Sequence, residues 1–169
     1  GKRRPYQFSV KGKRQDIPEY KPEANEMLYW NRTNVIQKPG MDLVVPRYYV
    51  YEDVPLRTDM RGDSSHIAFD YILDAGRTPI HSYCDLSIGL RHMPVADTTK
   101  YYIVQKAGKW RSSMGGKYAN GWIKTRVRSL GTFSVDVDTI APQITPIGQG
   151  GWRTSRNIRF RIKDMDSGI

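Results

Sequence analysis

Apolar and polar residues alternate with a period of two along much of this chain. In WIKTRVR (122–128) Ile123, Thr125 and Val127 fall on one face, and Lys124, Arg126 and Arg128 on the other. NIRFRIK (157–163) repeats the arrangement, with Ile158, Phe160 and Ile162 against Arg159, Arg161 and Lys163. CDLSIGL (84–90) gathers Cys84, Leu86, Ile88 and Leu90 on a common face, and GTFSVDVD (131–138) does so with Phe133, Val135 and Val137. This periodicity belongs to strands half buried in an antiparallel sheet. YQFSV (6–10), MLYW (27–30), DLVVP (42–46), YYVYEDV (48–54), HIAFDYIL (66–73) and KYYIVQ (100–105) are further strand candidates, rich in the tyrosine and β-branched residues that strands favour.

Turn signals punctuate these segments at Pro39-Gly40, Gly62-Asp63, Gly115-Gly116 and Asn120-Gly121. The Asn-Gly pair is the strongest hairpin signal, because both residues accept the positive φ of a type I′ turn. No long window shows a helical period; PEANEMLYW (22–30) has room for a single turn. The pattern predicts an all-β fold, an antiparallel β-sandwich of immunoglobulin or fibronectin type. Residues 1–40, interrupted by Pro5, Pro18, Pro22 and Pro39, read as an irregular N-terminal arm with one or two strands, and residues 41–139 as the sandwich. At Ala141-Pro142 the proline removes a ladder donor and stiffens the chain, so residues 140–169 read as the first strands of a second, truncated β-domain. The apolar face of Ile158, Phe160 and Ile162 is then expected to lie outside the core that holds Phe133, Val135 and Val137.

Composition changes this picture in two ways. The 169 residues carry a formal net charge of +10, which favours polyanionic partners. Cations crowd the start at Lys2, Arg3, Arg4, Lys11, Lys13 and Arg14, then recur in register on the two strands above. No apolar run approaches the roughly 18 residues of a membrane span. Cys84, the one cysteine, has no disulfide partner within the chain and reads as a core residue.

Several residues invite a chemical reading. The tryptophans and Tyr29, where exposed, would make a carbohydrate platform, and Trp152, after Gly150-Gly151, is the tryptophan expected to be partly exposed. Two His-x-x-x-Asp spacings occur, His66 with Asp70 and His81 with Asp85. On a regular strand the ends of HIAFD stand about 13 Å apart, too far to share one zinc. Arg61-Gly62-Asp63 reads as a glycine turn between charges, Asp136 and Asp138 as a solvated face, and Asp164-x-Asp166 with Gly168 as a strand-ending turn that lacks the later ligands of a calcium loop.

HSYCDLSIGLRH, KYYIVQKAGKW, GGKYANGWIKTRVRSLGTFSVDVDTIAPQITPI and FRIKDMDSGI together resemble the accessory β-region that follows the catalytic domain in Bacteroidota proteins of the M23 (lysostaphin-like) metallopeptidase family. The similarity runs from about Ile17 to the end, and DTIAP with the DMDSGI turn resembles the start of a bacterial immunoglobulin-like module. The resemblance implies a secreted, periplasmic or envelope protein, with a zinc endopeptidase domain in the same parent chain acting on peptidoglycan. That family's site needs a His-x-His, which this chain lacks: His92 is followed by Met93 and Pro94. The expectation is therefore a non-catalytic, cofactor-free accessory module. Its candidate ligand contacts are Trp152, Lys124, Arg126, Arg128, Arg159, Arg161 and Lys163, facing peptidoglycan or another acidic glycan. Nucleic acid is not expected as a partner of such a module; the alternative is an independent polyanion- or nucleic-acid-binding β-module, for which nucleic acid would be the leading ligand.

Overall fold

The computed structural model describes residues 23–164, together with Ser9 and Gly12. The expected strand YQFSV, the basic run from Lys2 to Arg14 and the loop beyond Asp164 fall outside the described residues. Two antiparallel sheets make the body of the molecule. The first places β1 (Glu26–Leu28), β4 (Val54–Arg61), β5 (Asp70–Asp74), β11 (Gly131–Val137), β7 (Tyr101–Ala107) and β8 (Trp110–Ser113) side by side in that order. The second orders β2 (Asn34–Lys38), β3 (Met41–Val45), β6 (Cys84–Gly89), β10 (Trp122–Val127) and β9 (Lys117–Ala119). A third sheet is the hairpin of β12 (Gln143–Ile147) and β13 (Arg159–Lys163). Among the described residues no helix is long and apolar enough to cross a membrane.

The alternation read from the sequence decides which side chains meet between the sheets. Cys84, Leu86, Ile88, Ile123 and Val127 point inward from the second sheet, and Leu28, Leu56, Tyr71, Leu73, Ile103 and Phe133 from the first. Each large apolar side chain buried this way contributes about 1.5–3 kcal/mol, so the core dominates the stability of the sandwich. The Asn-Gly hairpin forms as expected: Asn120 (φ 50°) and Gly121 (φ 84°) join β9 to β10 with Ala119 opposite Trp122.

Three segments depart from expectation. YYVYEDV is not a strand: Tyr48 sits at φ 67°, residues 48–52 turn, and β4 begins only at Val54. That strand accommodates Pro55 because Leu56 and Thr58 turn their backbone groups towards Asn25, next to β1, while Pro55 faces the other way, beyond the end of the β5 ladder at Arg57–Asp74. HIAFDYIL begins its strand at Asp70, since Asp63 ties Ser65 and His66 into a turn. NVIQK, unmarked by the sequence reading, is the edge strand β2. Within the stretch read as an arm, β1 and β2 are members of the two sheets, with Leu28 and Ile36 in the core.

The hairpin after Pro142 packs differently. Ile144, Ile158, Phe160 and Ile162 remain exposed, Phe160 at 52%, and none joins the core of Phe133 and Val135. A chain ending at Thr139 is therefore expected to unfold cooperatively with a melting temperature within about 2 °C of the full chain; a larger loss in calorimetry would show that the hairpin supports the sandwich.

Burial also sets an alkaline limit. It pushes the Cys84 thiol up to about 11 and the Tyr71 hydroxyl up to about 12, from ordinary values of 9.0 and 10.0. Both groups hold their protons longer in the folded state, so the stability they contribute is complete below pH 9 and falls as pH rises towards 11–12. Denaturant midpoints measured across that range are expected to decline, and a thiol reagent should modify Cys84 only as the protein unfolds.

Candidate functional site at the loop end of the sandwich

Strand register places five loops together. Leu28 ends β1 opposite Val54, Cys84 starts β6 opposite Val127, Gly131 starts β11 opposite Leu73, and Ala107 faces Trp110 across a tight turn. Loops 29–33, 46–53, 75–83, 108–109 and 128–130 consequently share one end of the sandwich. Exposed aromatic rings concentrate there: Trp30, Tyr48 (52% exposed), Tyr51, Tyr83 and Trp110 (80% exposed).

The buried side chain of Asn34 fixes the first loop. Its Oδ1 accepts from the Tyr29 N–H at 2.8 Å, and its amide donates to the carbonyls of Tyr29 (2.9 Å) and Arg32 (3.1 Å). Trp30 is then held from two sides: its N–H donates to Asp53 Oδ1 at 3.1 Å, and its carbonyl accepts from the Tyr48 N–H at 2.7 Å. That last bond locks Tyr48 into the left-handed region, where a bulky residue pays about 1–2 kcal/mol. The rings of Trp30 and Tyr48 meet at 5.7 Å with a 41° tilt, and the Arg47 guanidinium lies 4.7 Å from the Tyr48 centroid. Arg32 stacks on Tyr29 at 3.7 Å. Behind them His81 donates its backbone N–H to the Tyr49 carbonyl at 2.8 Å and meets the Tyr51 hydroxyl with Nδ1 at 3.2 Å.

The basic face of β10 runs up to this end. Lys124, Arg126 and Arg128 are exposed as the alternation predicts, and Arg126 lies 5.9 Å from the Tyr83 ring, linking the basic strand to the aromatic loops. Lys117 of β9 sits directly opposite Lys124, and Asp85 of β6 opposite Arg126. Arg159, Arg161 and Lys163 are also exposed, but they belong to the hairpin sheet, so the two cation triplets do not form one continuous sheet face.

Trp152 is half buried. Its ring meets Phe160 edge-on at 5.2 Å, and its Nε1–H donates to the Ile147 carbonyl at 3.0 Å, so its polar edge is spent on its own hairpin. Trp30 and Trp110 are the tryptophans open to solvent. Tyr48 and Tyr51 escaped the sequence reading because they lie in a segment read as a strand; Pro46 just before it was the available signal that the strand had ended.

The remaining motifs have structural uses. The Asp63 carboxylate is held down at about 2, chiefly by hydrogen bonds from Ser65 and His66, which occupies the acid of the Arg61-Gly62-Asp63 sequence inside its own turn. Asp136 pairs with Arg111, and Asp138 accepts from the Ile140 N–H at 3.0 Å, so both stabilise their surroundings. Asp70 bridges to Lys106 at 2.6 Å. Among the described residues, no group of three or more His, Cys, Asp or Glu gathers in a way that could hold a metal ion.

The fold defines a two-sheet antiparallel β-sandwich with an elaborated loop end. The model of the Zu5-like domain family matches residues 25–138, from the residue before β1 to the residue after β11, and the chain belongs to that family. No curated protein and no solved structure matches it.

Proposed function

We propose that this chain is a non-catalytic accessory module of a secreted or envelope peptidoglycan peptidase of the M23 type, which positions or anchors the catalytic domain by holding wall glycan at the aromatic loop end. The resemblance of its strand sequences to such accessory regions supplies the parent enzyme and the compartment. The observation that carries the glycan contact is the Trp30–Tyr48 pair. Here a backbone hydrogen bond holds a tyrosine at φ 67°, with its ring beside a half-exposed tryptophan and an arginine at the rim. Backbone strain of this kind persists where a surrounding network over-determines it, and it clusters at binding sites. Aromatic faces with polar edges suit sugar rings, which present apolar C–H faces and hydroxyl rims.

Sedimentation with purified peptidoglycan tests the proposal. The chain is expected to co-sediment, and Trp30→Ala to weaken retention about 10-fold, the loss expected of one aromatic anchor. Failure to bind peptidoglycan, combined with binding to single-stranded DNA that falls steeply with salt, would favour the polyanion-binding alternative instead.

A further inference from the structure

Running up towards the loop end, the outer face of β6, β10 and β9 carries a shallow cleft lined by Asp85, Gly116, Lys117, Lys124, Thr125 and Arg126. Three cations surround it and one carboxylate stands at its edge. Register alone makes Lys117 and Lys124 direct cross-strand neighbours, a placement in which like charges repel and destabilise the sheet. Among the described residues neither lysine enters an ion pair with an acid. Asp85, though paired in register with Arg126, forms no ion pair with it, and Arg126 lies over the Tyr83 ring instead. Gly116 (φ 147°) brings the chain into β9 beside the cleft, and a Cβ on it would point to the core side of the sheet, 2.5 Å from Ile123 Cγ2.

We infer that this cleft is a binding site for a compact oxyanion, a phosphate or carboxylate group, held between Lys117 and Lys124 with Arg126 at its rim. An anion placed between two opposed ammonium groups removes their repulsion and gains charge-assisted hydrogen bonds from both. The site does not depend on sugar binding at Trp30, because no residue lining it belongs to the aromatic pair.

Amide NMR of the whole chain at constant ionic strength tests it, with chloride exchanged for inorganic phosphate and, separately, for acetate. Saturable shifts confined to Lys117, Lys124, Thr125 and Arg126 are expected with at least one of the two anions, and which anion saturates identifies the group. Lys117→Glu should weaken binding about 10-fold and raise the melting temperature, since it faces Lys124 with a carboxylate. Lys124→Gln serves as a second variant with the same expected loss of binding, and Arg161→Glu on the hairpin should change nothing. Shifts that grow linearly without saturation, or that spread equally over Arg159, Arg161 and Lys163, would overturn the site, as would unchanged affinity in Lys117→Glu. Trp30→Ala should retain anion binding, so failure of the oxyanion site and failure of the glycan reading are separable.

Discussion

Gly116→Ala is expected to destabilise the sandwich by about 2–4 kcal/mol, combining left-handed backbone strain with overpacking. The added methyl collides with Ile123 Cγ2 at 2.5 Å, and Ile123 is itself fully buried between the sheets. In a chain of this size each kcal/mol lowers the melting temperature by roughly 2–4 °C, so a fall of about 5–15 °C is expected in calorimetry. Gly108→Ala is the matched control. Gly108 also has a positive φ, 59°, in the turn between β7 and β8, but a Cβ there meets nothing within 4 Å. It should cost only about 1 kcal/mol, the backbone penalty alone. Equal effects at the two glycines would mean that the collision is relieved by movement of β10, and that the core beside Ile123 is softer than its geometry indicates.

Tyr48→Gly should separate stability from binding. Glycine adopts φ 67° without strain, so the substitution returns the roughly 1–2 kcal/mol of left-handed penalty while losing the ring contacts with Trp30 and Arg47. These opposing terms nearly cancel, and the denaturant midpoint is expected to stay level or rise slightly. Retention on peptidoglycan should nevertheless collapse towards that of Trp30→Ala, whereas Tyr48→Phe keeps the ring and most of the binding. A glycine variant that binds as well as the native chain would reduce Tyr48 to a loop residue and remove the main support for glycan contact at this end.

The interior strands were legible because they obey one rule along their whole length. Cys84, Leu86 and Ile88 alternate with polar residues, as do Ile123 and Val127. Burial of one face is sufficient to specify both the strand and its orientation. The Asn120-Gly121 turn was legible for a local reason, the positive φ that both residues accept. By contrast, β4 was hidden by Pro55, whose missing donor is harmless only because β5 does not reach that far. YYVYEDV was misplaced because its tyrosines satisfy strand propensity, while the hydrogen bond from Tyr48 to the Trp30 carbonyl, which no propensity reports, turns the chain.

For the candidate sites the division is similar. Alternation placed Lys124, Arg126 and Arg128 on an outer face, but their relation to Lys117 and Asp85 depends on which strands became neighbours. Trp152, read as partly exposed beside two glycines, is half buried, with Phe160, brought back by the hairpin, covering one side of it. Beyond the Ala141-Pro142 step, β12 and β13 pair with each other as their own sheet.

The sequence by itself determined an all-β chain, the inward and outward faces of its main strands and a turn at Asn120-Gly121, because these follow from side-chain period and local backbone preference. Only the tertiary structure decided that Trp30 meets Tyr48 and that Lys117 opposes Lys124. Each pair joins residues from different segments of the chain, and their meeting is set by sheet order and register, which emerge when the two apolar faces close on one another.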